Sequence, residues 1–367
     1  MAVYYCKTAI YHGIQSGVFP IAGPAGRKSV SFFVLQSASK ITACDNSLNR
    51  LIAQTGHIHL MDSFSSFVIV NPSAAAGATG RRWGRIAKLL QQSLGDFEHA
   101  STRAPNEATA LSRAALREGY EMIVAVGGDG TLNEVAAGFF DGARSIAPQA
   151  VLGVIAVGTG SDFGRTLGQR DLASACASLR GRETRYIDVG MARFISHDGT
   201  PATRIFINVA SFGVGALVAR LVNPGLKALS GRVAFTLATV RALASYEDRS
   251  VVVQFDDALP RPLSITNCAF GNGRFFGAGM QVAPAAELDD GEFDVTVWSG
   301  FRLMDFIAKR RTLYDGSHVR EPGAQTFRVR RASATSESTV LLEIDGESAG
   351  RLPAHIEMLP KAIRLKV

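Results

Sequence analysis

The sequence predicts an α/β domain with a parallel sheet, followed by a β-rich second half, and three observations carry that prediction. A chain of 367 residues with 47% hydrophobic content exceeds the ~250–300 residues at which single cores stop growing, so two domains are expected. From Ser66 to Val157, short runs that are apolar on both faces alternate with segments of helical spacing, the pattern of strands covered by helices on both sides. Beyond residue 180 the runs become β-type: "RYIDVGMARF" (Arg185–Phe194), "SVVVQF" (Ser250–Phe255) and "TVLLEI" (Thr339–Ile344).

In chain order, residues 1–61 carry only Asp45 as an acid, are rich in Ser, Ala and aromatics, and show no sustained periodicity. A transit peptide and an extension ahead of a physical start at Met61 both fit, and the second is the expectation: a poorly structured N-terminal extension. His57 and His59 read as solvated loop residues. "FVIV" (Phe67–Val70) is a buried strand ended by Asn71-Pro72, and a small-residue basic loop, Ser73 to Arg82, follows. Ile86, Leu89, Leu90 and Leu94 mark a helix, and a second helix spans Asn106 to Glu118 with Gly119 just past its end. "MIVAV" (Met122–Val126) is the next strand.

That strand runs into Gly127-Gly128-Asp129-Gly130, and Thr131-Leu-Asn-Glu134 has the form of a capping box opening a helix. Free N–H groups at a helix start favour an anion, and bare glycine lets a phosphate approach the backbone. Asp129 opposes a bare anion, so acid and glycine together point to a nucleotide carried with Mg²⁺. A tight turn alone would explain any single glycine pair. The logic repeats where "VLGVIAV" (Val151–Val157) enters Gly158-Thr159-Gly160-Ser161-Asp162. Neither loop is a Walker A or a G-x-G-x-x-G motif. Two loops at adjacent strand ends line one crevice.

Composition closes off other classes. Cys6, Cys44, Cys176 and Cys268 lie far apart, which excludes a disulfide framework or a zinc site and suits a reducing, cytoplasmic setting. The longest uncharged apolar stretch, Ile205 to Ala219, is shorter than the ~20 residues that span a bilayer. A net charge of +7 favours anionic partners, but no concentrated basic tract argues for nucleic acid.

Taken in order, "VNPSAAAG" (Val70–Gly77), "VGGDGTLNEV" (Val126–Val135), "LGVIAVGTGSDFGRTLG" (Leu152–Gly168), "IDVG" (Ile187–Gly190), "FINVASFGVGA" (Phe206–Ala216), "GNGRFFGAGMQVAPAAELDDGEFDV" (Gly271–Val295), "YDGSH" (Tyr314–His318) and "IDGE" (Ile344–Glu347) resemble the diacylglycerol kinase catalytic-domain family. That family includes bacterial lipid kinases and sphingosine and ceramide kinases. The resemblance covers about Ser66 to Val367. The Gly-Gly-Asp-Gly-Thr loop alone is shared with NAD kinases and phosphofructokinases, whereas the blocks after it are those of the lipid branch. Ser161 stands where most members have Asn, and Ala278 replaces a glycine.

The resemblance implies a Rossmann-like domain over residues 62–188, an antiparallel β-rich lipid-substrate domain over 189–352, and a segment 353–367 returning to the first domain. It implies transfer of the ATP γ-phosphoryl group to a lipid hydroxyl, diacylglycerol first, with Mg²⁺ as cofactor. The enzyme would be peripheral at a membrane surface, and a homodimer is a possible assembly. Asn71 and Gly77 would touch nucleotide. Gly127, Gly128, Gly130 and Thr131 would cradle phosphate, and Gly158, Thr159 and Gly160 would close the other side. Asp129 would act through Mg²⁺, with Asp162 in the same network. Asp345 and Glu347 would be catalytic, as base or at the metal, although Asp-Gly also makes ordinary hairpin turns. Asp289 and Asp290 resemble a segment holding structural Mg²⁺. Arg328, Arg330 and Arg331 could touch anionic headgroups, a solvated strand face being an equal reading. A soluble-metabolite kinase, such as one acting on NAD, and a catalytically silent lipid-binding member are the competing readings. The first lacks the later blocks, and the second would lose carboxylates that are all present here.

Overall fold

In the computed structural model, residues 63–157, 161–225 and 231–367 are described. The expectations for residues 1–61 therefore lie outside the described residues. Asp62–Val367 form one compact unit.

Strands β1 (Ser66–Val70), β2 (Glu98–Ser101) and β3 (Met122–Gly127) run parallel with β1 in the middle. Helix α1 (Ala78–Leu94) connects β1 to β2, α2 (Glu107–Glu118) connects β2 to β3, and α3 (Asp129–Ala137) follows β3. After a hairpin of two-residue strands, β4 (Phe140–Asp141) and β5 (Arg144–Ser145), strand β6 (Val151–Ala156) pairs parallel with β3. The unbroken apolar runs have a direct cause. Val68, Val70, Val124, Val126 and Ile155 pack with Ile86 and Leu90 of α1. The alternate residues Ile69, Ile123, Ala125, Leu152 and Val154 pack with Leu116 of α2 and with Leu132 and Val135 of α3. Both faces are buried, so neither tolerates a polar residue. β2 escapes the rule as an exposed edge strand, "EHAS", and carries no apolar pattern.

One local expectation changes. Helix α3 starts at Asp129 with Gly128 as its N-cap and no side-chain cap, two residues ahead of the capping box read at Thr131–Glu134. The Thr131 hydroxyl instead accepts from Asn71 Nδ2 at 2.9 Å, and Glu134 turns its carboxylate to Ala108 N at 3.2 Å, at the start of α2. Tertiary partners took both groups that the local cap would have used.

Short helices α4 (Asp162–Thr166) and α5 (Leu172–Ala177) lead into β7 (Thr184–Ser196), and β8 (Pro201–Phe206) and β9 (Val209–Gly213) follow. Helices α6 (Val214–Gly225) and α7 (Gly231–Leu243) come next, then β10 (Arg249–Phe255), β11 (Arg261–Ile265), β12 (Asn267–Gly271) and β13 (Phe293–Trp298). Helix α8 (Leu303–Asp315) precedes β14 (Ala324–Val329), β15 (Arg331–Thr335), β16 (Leu341–Ile344) and β17 (Glu347–Lys366). Apart from one junction, pairing in this half is antiparallel, around a core of Phe206, Phe212, Phe270 and Phe293. The junction is the 20-residue β17, which pairs antiparallel with β16, β15 and β7 and then, at Arg364 and Leu365, parallel with β6. The chain is thus a two-domain α/β and β-rich fold whose halves share one 15-stranded sheet. Sequence reading showed three strands of the second half, β7, β10 and β16, but not its three helices. The first of them begins inside the apolar stretch that continues β9, where no polar punctuation separates the two periods.

Asp188 clamps this junction. Its side chain is buried and accepts from Gly291 N and Lys361 N, each at 2.6 Å, while Asn272 Nδ2 donates to its carbonyl at 3.0 Å. Burial raises its pKa, and the two N–H donors oppose that rise. Asp188→Ala leaves two backbone donors without their acceptor, so unfolding in urea should show a loss of about 2–4 kcal/mol. A loss under about 1 kcal/mol would mean that the clamp does not hold the sheet together.

Candidate active site

Asn71 ends β1 and ties three segments together. Its N–H donates to Val126 O at 3.0 Å, its Nδ2 to Thr131 Oγ1 at 2.9 Å, and its Oδ1 accepts from Ser73 N at 3.0 Å. Gly127 is required by packing, since a Cβ there would fall 2.6 Å from Thr131 Oγ1. Gly128 and Gly130 differ from it. A Cβ at Gly128 would meet nothing within 4 Å, and one at Gly130 would meet only Glu347 Oε1, at 3.7 Å. The loop is therefore bare backbone facing open space, with one carboxylate over it. Gly77 caps the start of α1 in the left-handed region. Gly158, Thr159 and Gly160 lie outside the described residues.

Asp129 reaches across to the second loop. Its Oδ2 accepts from Asp162 N at 2.9 Å and its Oδ1 from Phe163 N at 3.1 Å. Asp162 in turn accepts from Ala278 N at 2.9 Å, while its Oδ1 is buried without a hydrogen-bond partner, 3.7 Å from Arg165 Nε. Burial pushes the Asp162 pKa up to about 7, and the neighbouring Asp129 charge adds to the rise. Burial likewise raises Asp129. Two buried carboxylates facing each other beside one arginine are short of positive charge. Ala278, at φ 68°, holds a left-handed conformation that glycine adopts more easily, because its N–H is needed by Asp162.

The third element is the β16–β17 hairpin. Asp345 (φ 46°) and Gly346 (φ 83°) form its two-residue turn between the paired Ile344 and Glu347, and positive φ at both positions matches the twist of the strands. The Asp-Gly pair is thus a hairpin turn, but its acid is fully engaged. Asp345 Oδ2 accepts from Asn133 Nδ2 at 2.6 Å and Ile207 N at 3.1 Å, and Oδ1 accepts from Asn208 N at 3.1 Å and Val209 N at 2.9 Å. Burial nonetheless leaves its pKa raised to about 6. Glu347 is half exposed, its Oε2 lying 3.1 Å from Arg204 Nη1 and its Oε1 facing Gly130. Chain positions far apart thus meet: Gly130 from the first half with Glu347, and its partner Arg204, from the second.

An apolar cleft opens among the helices of the second half. Its wall residues come from α6 (Val218), α7 (Phe235, Leu243) and α8 (Phe306, Leu313), and Gly215 and Asn267 lie on its floor. Asp289 and Asp290 lie near enough to Asp188 to raise its pKa. Asp290 is paired with Arg328, Glu292 lies 3.3 Å from the same arginine and 3.5 Å from Arg330 Nε, and no group of three metal-ligating side chains occurs among the described residues. Arg328 and Arg330 are thereby turned to acids of their own chain, and Arg331 is paired with Asp257.

Sequence reading missed Asn133, Arg204, Ser211 and Glu343. Asn133 lies inside the quoted loop block, but its partner is more than 200 positions away. Glu343 is buried, accepting from Ser211 Oγ at 2.8 Å and Gly346 N at 2.9 Å. An acid in the apolar run "LLEI" was the available signal. Burial raises its pKa to about 8 against an ordinary 4.5.

That shift has a defined sign. Between about pH 4.5 and 8 the folded state keeps a proton that the unfolded chain releases, so Glu343 makes stability fall as pH rises through this window and level off above it. Glu343→Gln, which carries no titrating group, should flatten that slope, gaining on the wild type toward pH 8 in denaturant melts. Parallel curves for the two proteins would show that Glu343 is already ionised at neutral pH.

With this geometry established, comparison with known proteins places the chain. Residues 65–192 match the diacylglycerol kinase catalytic domain, and residues 208–367 match the YegS C-terminal NAD kinase beta sandwich-like domain. The diacylglycerol kinase of Bacillus subtilis (strain 168) is 27% identical over 307 residues, covering 81% of this chain and 94% of that protein. The diacylglycerol kinase of Staphylococcus carnosus (strain TM300) is 26% identical over 305 residues, covering 81% and 93%. Among solved structures, a Bacillus anthracis (str. Sterne) protein superposes with a TM-score of 0.67 at 22% identity, covering 84% of this chain and 97% of that one, which is a likeness of fold. The two matched domains stand in tandem across the glycine loops and the β16–β17 hairpin, and the chain belongs to the diacylglycerol kinase catalytic-domain family.

Proposed function

We propose that this chain is an ATP-dependent lipid kinase that transfers the γ-phosphoryl group of ATP to a lipid hydroxyl, with diacylglycerol as the first acceptor to test. The observation that carries the reading is Glu347, a half-exposed carboxylate over the bare backbone of Gly130, in a chain whose second half also holds an apolar cleft. An acyl chain suits such a cleft, whereas a charged soluble acceptor such as NAD would find few partners among Val218, Phe235, Leu243, Phe306 and Leu313.

Each residue then has a task. The nucleotide phosphates would lie along the open N–H groups of Gly128 and Gly130, at the start of α3. Asn71 and Thr131 hold that loop against β1. Asp129 orders the second loop through two backbone donors. The acidic pair fits a divalent cation: each Asp129 oxygen keeps a lone pair beyond the bond it accepts, and Asp162 Oδ1 has no hydrogen-bond donor. When bound, Mg²⁺ would neutralise charge on the transferred group. Asp290 is instead paired with Arg328.

Asp345 accepts four hydrogen bonds and is held in place by them, which leaves Glu347 as the carboxylate able to take the acceptor proton. As that proton passes to Glu347, the acceptor oxygen forms its bond to the γ-phosphorus and the bridging oxygen leaves on ADP. Phosphorylation of a lipid panel with radiolabelled ATP tests the assignment. Glu347→Gln should lower kcat by ~10²–10⁴-fold while ATP affinity holds. Wild-type turnover in that variant would assign the base elsewhere.

The acceptor also implies a surface. No helix among the described residues is long and apolar enough to cross a membrane. Val233 and Leu237 on α7, and Met304 and Ile307 on α8, are exposed on the same helices that line the cleft. Exposed Arg241, Arg310 and Arg311 lie on those helices too. Apolar side chains seated in the acyl boundary with arginines at the headgroups would bring the cleft to its lipid. Paired Met304→Glu and Ile307→Glu substitutions should weaken sedimentation with phosphatidylglycerol vesicles at least several-fold, and the residual binding should be more salt-sensitive than that of the wild type. Unaltered binding would mean that another face meets the membrane.

A further inference from the structure

Glu343 has no task in the reaction described above, and its placement is costly: a carboxylate side chain buried in a strand, directly across from Ser211 in the β16–β9 ladder. The hairpin does not require it, since an Asp-Gly turn with positive φ at both positions closes two strands unaided. Its two bonds run in different directions. Oε1 accepts from Ser211 Oγ at 2.8 Å, and Oε2 accepts from Gly346 N at 2.9 Å, the residue before Glu347. The pairing register of β16 and β17 shifts at Leu342/Glu343, an irregularity of the kind that re-aims a side chain.

Ser211 lies directly under the floor of the apolar cleft. A Cβ at Gly215, a floor residue, would fall 2.8 Å from Ser211 Oγ and 3.0 Å from Asn267 Oδ1, and Gly215 N donates to that Asn267 oxygen at 2.9 Å. One line of contacts therefore leads from the cleft floor through Ser211 and Glu343 to Gly346 and on to the carboxylate over Gly130. We propose that Glu343, braced by Ser211, is a positioning residue that fixes Glu347 relative to the cleft floor, so that the acceptor hydroxyl and the base meet in one geometry. This rests on the reading of Glu347 as the base.

The test is a double-mutant cycle on the full chain, using ATP and vesicles containing diacylglycerol. Glu343→Ala should lower kcat by ~10–100-fold through misplacement of the base, with the KM for ATP within about twofold of wild type. Glu343→Gln should restore most of the loss, because its amide oxygen still accepts from Gly346 N and its NH₂ can donate to Ser211 Oγ. Combined with Glu347→Gln, Glu343→Ala should add little, since both act through one carboxylate. If Glu343→Ala does not fold, Ser211→Ala enters the same cycle with an expected loss of about tenfold. The proposal is overturned by wild-type kcat in Glu343→Ala, by a full further loss in the Glu347→Gln background, or by Glu343→Gln as impaired as the alanine variant. An inactive Glu347→Gln beside a fully active Glu343→Ala removes this proposal alone, whereas an active Glu347→Gln removes the base assignment and this proposal with it.

Discussion

The four hydrogen bonds accepted by Asp345 are the constraint on which the rest of the site depends. They join the β16–β17 turn to Asn133 on α3 and to the backbone between β8 and β9. Helix α3 belongs to the parallel-sheet half and the other partners to the β-rich half, so one carboxylate sets the distance between the glycine loop and the hairpin. Both oxygens are saturated, and their donors converge from two segments, a geometry that a mobile turn could not maintain. Arg204 and Glu347 come together over Gly130 because Asp345 has been pinned one turn away.

The acids around this point divide by what they accept. Asp188 and Asp345 are consumed by donors that hold segments together. Asp129 spends one bond per oxygen on the second loop, and Asp162 keeps one oxygen without a donor. Glu347 alone combines exposure with a place over the bare backbone of Gly130. Burial raises the pKa values of Asp129, Asp162, Glu343 and Asp345 together, the electrostatic consequence of taking carboxylates out of water.

The β-rich half contributes an acceptor side of a different character. Its aromatic core of Phe206, Phe212, Phe270 and Phe293 is filled. The cleft lies instead among α6, α7 and α8, beside Asn267 at the start of β12, and helix side chains form much of its wall. A cleft walled by helices laid on a sheet can change shape without disturbing the strands that carry the hairpin.

What the sequence determined alone was everything written in neighbouring residues. Runs such as Met122–Val126 can only be strands buried on both faces, Gly119 only ends a helix, and Gly127–Gly130 announces a backbone that something approaches closely. The local code failed where a side chain had a distant partner to choose. Thr131 and Glu134 looked like a capping box, but Asn71 and Ala108 claimed them. Asp345 and Glu347, two residues apart in one motif, could not be told apart by spacing. Only the tertiary structure sends one into four hydrogen bonds and leaves the other over Gly130, because Asp345 sits in the turn at positive φ while Glu347 opens the next strand. Glu343 drew no notice in its apolar run, since its meaning depends on Ser211, 132 positions earlier and directly opposite in the sheet. Sheet pairing, which puts distant residues face to face at bonding distance, decided what sequence proximity could not.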